Sequence, residues 1–241
     1  MYLKNIDGEL LSVKETDEYR WFEYGGTSAQ SLMNKQNPEE IMIPIYQSLF
    51  LFLLIHNNPK HILNLGLGGA SIERALAANP SLLVTSVDAS QSIIDMAEAY
   101  FELPKNSHVV CQQAELFIQH TQSQYDVVLC DLFVGEKSPD FLFTEAFYSQ
   151  LKQITTKQSL VMINMQADTN DQLLVALLAI KKYFPYIALL EFDDYINIVI
   201  VCSSHVIPKQ ATLQRRLSLL ASPPCDGLTE VIERIQYIPN A

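Results

Sequence analysis

Three glycines and two aspartates carry the chemical signal of this sequence. The run LNLGLGGAS (63–71) sets Gly66, Gly68 and Gly69 between an apolar, strand-like segment and a helix-like one. Glycines in such a turn let the backbone approach a ligand closely and aim amide N–H groups at it. Asp88 ends the next apolar run, LLVTSVD, 20 residues after Gly68. A carboxylate at that place and distance suits the ribose hydroxyls of an adenosine-containing ligand. Ser71 stands where the dinucleotide fingerprint has its third glycine, which argues against NAD. A tight turn followed by a helix N-cap aspartate would account for the same residues without any ligand. Asp131 ends a third apolar run, YDVVLCD. A carboxylate at a strand's C-terminal end can act as a base or simply cap the following loop.

These residues need elements to hold them. From His61 on, short β-branched runs (HILNLG, LLVTSVD, SHVVCQ, YDVVLCD, SLVMINM) alternate with segments of helical periodicity (ASIERALAAN, QSIIDMAEAYF, AELFIQHTQ, TEAFYSQLKQI). Strands that are apolar on both faces and linked by crossover helices form a parallel α/β sheet. IALLEF and INIVIVCS, separated by little more than Asp193-Asp194-Tyr195, form a hairpin, so the last strand runs antiparallel. Five parallel units ending in such a hairpin make an AdoMet-methyltransferase-like Rossmann sheet. Ahead of it, residues 1–37 read as a small β-hairpin region (ELLSV, YRWFEY, SAQSLM), with residues 38–241 as the Rossmann domain. A helix is expected from Pro38-Glu39-Glu40 to about His56, and two amphipathic helices at 209–221 and 226–236 close the chain.

Composition bounds the partners. The chain has 241 residues, 49% of them apolar, enough for one large core without disulfides. With 27 acidic and 16 basic residues the net charge is -11, which speaks against a nucleic-acid surface. The first 20 residues are too charged for a signal peptide, and the apolar stretch 41–55 is too short to span a bilayer. A cytoplasmic protein without membrane partners is expected. Cys111, Cys130 and Cys202 fall in apolar runs and read as buried thiols; Cys225 adds no CxxC spacing, so no metal site is expected. The five histidines are isolated, and Ser203-Ser204-His205 lacks a nucleophile-elbow context. Trp21 and Tyr24, with Phe22 between them, read first as packing of the small sheet or a dimer contact and second as substrate stacking, and the sheet's uncovered edge favours a homodimer.

YRWFEYGGTSAQS, IPIYQSLF, ILNLGLGGASIERAL, SVDASQSIIDMAEAYF and YDVVLCDLF followed by FLFTEAFY resemble the spermidine synthase (polyamine aminopropyltransferase) family, especially its divergent bacterial branch. The resemblance implies transfer of an aminopropyl group from decarboxylated AdoMet to a small amine acceptor, releasing methylthioadenosine. It further implies that Gln30 lies over the nucleoside, that Asp88 takes the ribose, and that Gln113 with Ala114 meets the adenine. Tyr46, Gln47 and Phe133 would line the amine pocket, with Asp131 catalytic. Two acidic positions of the family are Gly69 and Val134 here, which leaves the acceptor's charges to Glu136, Asp140, Asp193 or Asp194. The same departures keep open a methyltransferase using intact AdoMet, with the Gly68 and Gly69 amides receiving its carboxylate, and an inactive nucleoside-binding protein of the same fold.

Overall fold

In the computed structural model, which describes residues 2–6, 9–25, 29–135, 137–220 and 225–239, the chain forms two sheets. β1 (Tyr2–Ile6), β2 (Glu9–Glu15), β3 (Tyr19–Tyr24) and β4 (Ala29–Asn34) make an antiparallel meander in chain order. Its inner face, Leu11, Val13, Phe22 and Met33, is buried with Met96 and Phe101, and the rings of Phe22 and Phe101 meet edge to face. Phe22 is therefore the core aromatic of this strand. Trp21, on the opposite face, donates its indole N–H to Glu23.

The connection to the second sheet differs from the expected long helix. Glu40 accepts from the Asn34 amide, and residues 38–43 form a turn and an irregular stretch rather than a helical first turn. α1 (Pro44–Leu49) begins at Pro44, whose missing N–H costs nothing at a first helical position, and α2 (Phe52–Ile55) follows after a break.

Strand and helix then alternate: β5 (His61–Leu65), α3 (Ser71–Leu76), β6 (Leu83–Asp88), α4 (Gln91–Tyr100), β7 (His108–Cys111), α5 (Ala114–His120), β8 (Tyr125–Cys130), α6 (Glu145–Gln153), β9 (Thr155–Met165), α7 (Asn170–Lys181), β10 (Tyr186–Glu191) and β11 (Ile198–Ser203). α8 (Gln210–Leu217), α9 (Leu228–Glu233) and a two-residue β12 (Gln236–Tyr237) complete the chain. The last two helices are shorter than the periodicity predicts; α9 ends early because Gln236 and Tyr237 pair with β10 instead.

The sheet order is β12-β10-β11-β9-β8-β5-β6-β7. β5 pairs in parallel with β6 and β8, β6 with β7, and β8 with β9. β11 is inserted antiparallel between β9 and β10, as the hairpin requires. One face of the sheet packs on α1, α2, α8 and α9 through Phe50, Phe52, Leu213 and Ile232. The other packs on α5, α6 and α7 through Ile118, Tyr148, Leu151 and Ile180.

The cysteine reading needs one correction. Cys130, Cys202 and Cys225 are buried thiols, whereas Cys111 ends the edge strand β7 and is exposed. Among the described residues no helix is long and apolar enough to cross a membrane.

Candidate active site

Parallel strands leave their C-terminal ends side by side, which is where this fold builds a site. At the centre, Gly66 (φ +97°) lets β5 and β8 close together. A Cβ on it would lie 2.1 Å from the Asp131 carbonyl oxygen. The Gly66 N–H donates to Val87 at 2.8 Å and the Asp131 N–H to Leu65 at 2.8 Å, tying three strand ends together. Gly68 (φ +50°) and Ala70 (φ +55°) turn the chain left-handed into α3. A non-glycine residue in that region is costly and recurs at functional sites.

Asp88 stands beside this turn. One carboxylate oxygen accepts the Leu67 N–H at 3.0 Å and the other the Ser90 N–H at 2.9 Å. Burial pushes its carboxyl up, and the amides of Ser90, Leu67 and Gly68 pull it back. Gln112 donates to the Asp88 carbonyl, which brings Gln113, exposed at the head of α5, and the buried Ala114 past the same end of the sheet.

The small sheet closes the glycine turn from the other side. Ser31, 1% exposed, packs so tightly on Gly69 that a Cβ there would meet the Ser31 Oγ at 2.3 Å. A side chain at position 69 would require Ser31, whose hydroxyl stands in its place, to shift. Arg74 reinforces the arrangement, donating to the carbonyls of Gly69, Phe101 and Pro38. Under the turn lies a small compartment lined by Ser31, Ser71, Asn64, Gly68, Tyr46 and Asp131. The Asn64 Nδ2 donates to Glu73 at 2.7 Å, leaving its Oδ1 buried with no partner among the described residues.

Next to it opens a cavity of about 360 Å³, lined by Gln30, Phe133, Gln166, Asp194, Asn197 and neighbouring apolar residues. Tyr46 borders both spaces. Its hydroxyl donates to the Gln30 carbonyl at 2.9 Å and also interacts with the Asp131 carboxyl. Asn164, 4% exposed, donates its Nδ2 to Asp131 Oδ1 at 2.7 Å, and its own Oδ1 accepts from Asn197 at 3.0 Å. Burial raises the Asp131 carboxyl to about 6, against the opposing pull of the Asn164 and Tyr46 hydrogen bonds. The same burial, with Asp131 beside it, pushes the Tyr46 hydroxyl well above the ordinary phenol range.

The structure thus gathers Gly66, Gly68, Gly69, Asp131 and Tyr46 at one point, with Gln30 and Phe133 on the adjoining cavity and Asp88 behind the turn. Gln47 goes elsewhere. Its amide donates to the Ile41 carbonyl at 2.8 Å, and its Oε1 fills the place where a Cβ on Gly227 would sit. Val134, expected to make the amine pocket less cationic, is 72% exposed and lines neither space, because the turn at Gly135 (φ +62°) carries it outward. Of the candidate substitute acids, Asp194 reaches the cavity, Asp193 pairs with Arg234, Asp140 lines neither space, and Glu136 lies outside the described residues. Asn64, Asn164 and Asn197 were not anticipated. Asn64 and Asn164 each stand alone among apolar neighbours in a strand (HILNL, VMINM), and that break in pattern is the signal that would have found them.

Asn164 stabilises the charged form of Asp131, so removing it should move the carboxyl further up. For Asn164→Ala we expect the acidic midpoint of Asp131 to rise by roughly one unit. ¹³C NMR titration of the aspartate carboxyls, with Asp131→Asn to assign the signal, checks this; an unmoved or lowered midpoint would contradict the role given to Asn164.

An antiparallel strand inserted next to the end of a parallel sheet, with a glycine turn and an acid at the switch point, defines a methyltransferase-like α/β protein. The chain belongs to the spermine/spermidine synthase domain family, whose model matches residues 43–188, more than half of it. A polyamine aminopropyltransferase of Chromobacterium violaceum is 27% identical over 158 residues, covering 64% of this chain and 60% of the relative's length. An eEF1A lysine and N-terminal methyltransferase homolog of Drosophila melanogaster is 29% identical over 158 residues, covering 60% of this chain and 23% of the relative. The fold is that of a probable spermidine synthase from Corynebacterium glutamicum (TM-score 0.78, 15% identity, 99% of this chain and 90% of that one).

Proposed function

We propose that the protein is an aminopropyltransferase that alkylates an amine acceptor with the aminopropyl group of decarboxylated AdoMet and releases methylthioadenosine. Family membership and the aminopropyltransferase relative support the reaction class. The observation that carries it is the position of Asp131, a raised carboxyl in the glycine-turn compartment, held by Tyr46 and Asn164, both of which also line the larger cavity. The residues suit the donor: Asp88 has remaining lone pairs for ribose hydroxyls, Gln113 and Ala114 at the head of α5 would meet the adenine, and the Asn64 Oδ1, unpartnered among the described residues, would accept from a tail ammonium.

An amine is protonated near neutral pH and attacks only after losing that proton. When bound, decarboxylated AdoMet supplies an electrophilic carbon beside its sulfonium. Asp131 takes the proton from the acceptor nitrogen, whose lone pair forms the new C–N bond while the C–S pair stays on sulfur. Tyr46 and Asn164 hold that carboxylate in one orientation, and placement of both reactants supplies most of the remaining rate. The four free cysteines support a reducing compartment, the cytoplasm, and the exposed Leu3 and Leu10 on the small sheet support self-association.

One observation favours a second reading. Ser31 occupies the place of a side chain at Gly69 and leaves hydroxyls and amides there in place of an acid, which suit the carboxylate of intact AdoMet and hence methyl transfer. Thermal melts separate the two. A ligand at 100 times its Kd stabilises by about 2.7 kcal/mol, which at this size raises Tm by roughly 5–10 °C. Decarboxylated AdoMet and methylthioadenosine should produce that shift and intact AdoMet a smaller one. Stronger stabilisation by intact AdoMet would favour the methyltransferase.

A further inference from the structure

The cavity beside Tyr46 is built for a particular kind of amine. Among the described residues its polar lining is mostly neutral: the carboxamides of Gln30, Gln166 and Asn197 and one carboxylate, Asp194. Ile43, Ile45, Phe133 and Ile196 supply apolar wall. The side chains of Gln30 and Gln166 make no hydrogen bond among the described residues, so their donors and acceptors are free to meet a ligand. Asp194 is exposed, and solvent screens an ion pair at such a rim until it contributes little. Asp193 is held by Arg234, and Val134 points to solvent.

A linear diamine brings two positive charges. Asp131 deals with the reacting one, and the distal ammonium would then sit among carboxamides and aliphatic carbons with no buried counter-charge among the described residues. Desolvating a cation without such a partner is strongly unfavourable. A carboxamide, by contrast, offers both a donor and an acceptor, which matches a neutral amide or hydroxyl group. We infer that the acceptor is a primary amine with a single positive charge, whose far end carries an uncharged polar group on an apolar stem. This rests on the cavity being the acceptor side of the transferase, and it holds for either donor.

Two probes differing only at the far end decide it: 1,4-diaminobutane and its mono-N-acetyl derivative. Calorimetry on the full chain, with methylthioadenosine present, should show the acetylated amine binding about tenfold more tightly, since one unbalanced buried charge is removed. Gln166→Glu sets a carboxylate in the cavity and should narrow or reverse that preference, mainly by tightening the diamine. Its melting temperature confirms that the variant folds.

Equal or reversed preference in the parent protein overturns the inference, as does binding of neither amine. A folded Gln166→Glu with unchanged preference also overturns it, because the distal group then lies elsewhere. If methylthioadenosine fails to shift the melt while the amine preference holds, the transferase reading falls, and with it the role of acceptor, leaving only a cavity selective for singly charged amines.

Discussion

Asp131→Asn should abolish amine alkylation and at the same time make the protein more stable at neutral pH. Loss of a general base typically costs about 10²–10⁴-fold in rate. Asparagine keeps the shape and can still accept from Asn164, so methylthioadenosine binding should be nearly unchanged. The stability half follows from linkage. The folded-state carboxyl is raised to about 6, above its unfolded value, so the native state binds the extra proton and loses stability as pH climbs through that window. Above it, the desolvated charge costs about 3 kcal/mol, which Asn removes. Melting curves should show the variant ahead of the parent at pH 8, with the gap closing by about pH 4. Retained turnover would sink the catalytic role, and a variant less stable than its parent at pH 8 would sink the burial argument. In the parent, the same titration predicts that turnover falls as pH drops through about 6, because protonated Asp131 cannot accept the amine proton.

Gly66→Ala should be the most damaging single methyl added to the chain. Two effects combine there: φ of +97°, and a Cβ that would sit 2.1 Å from the Asp131 carbonyl oxygen and 3.0 Å from its carbon. Both atoms are backbone, so relief requires β5 and β8 to separate at the catalytic end. We expect about 3 kcal/mol or more of destabilisation, equivalent to roughly 10 °C in Tm at this size. Gly135→Ala is the matched control. Its φ of +62° is strained too, but nothing lies within 4 Å, so the loss there should be about 1 kcal/mol. Equal losses at the two positions would show that the close approach of β5 and β8 adds nothing.

The parts of the site legible in the sequence are those built from one contiguous stretch. Strand, glycine turn, helix, strand and acid lie between His61 and Asp88, and their spacing fixes their geometry. The hairpin was equally legible, because so short a link leaves no room for a crossover. Contacts between distant segments were not. Nothing in the local pattern says that Ser31 fills the place of a side chain at 69, or that Asn164 reaches Asp131.

Gln47 failed for a plainer reason. Adjacent helical residues point about 100° apart, so Tyr46 and Gln47 face different neighbours. Val134 was carried out of the site by a left-handed glycine. The first helix starts at Pro44, one proline later than the sequence predicts. Asn34 draws Glu40 into a turn before Pro44 can begin the helix.

The most direct test is to identify the products. The purified protein should be incubated with decarboxylated AdoMet and a singly charged amine, and in parallel with intact AdoMet, followed by chromatography and mass spectrometry. Methylthioadenosine formed one for one with aminopropylated amine, only from the decarboxylated donor, is the predicted result. S-adenosylhomocysteine with a methylated amine, or neither product from a protein whose melt responds to methylthioadenosine, would contradict it.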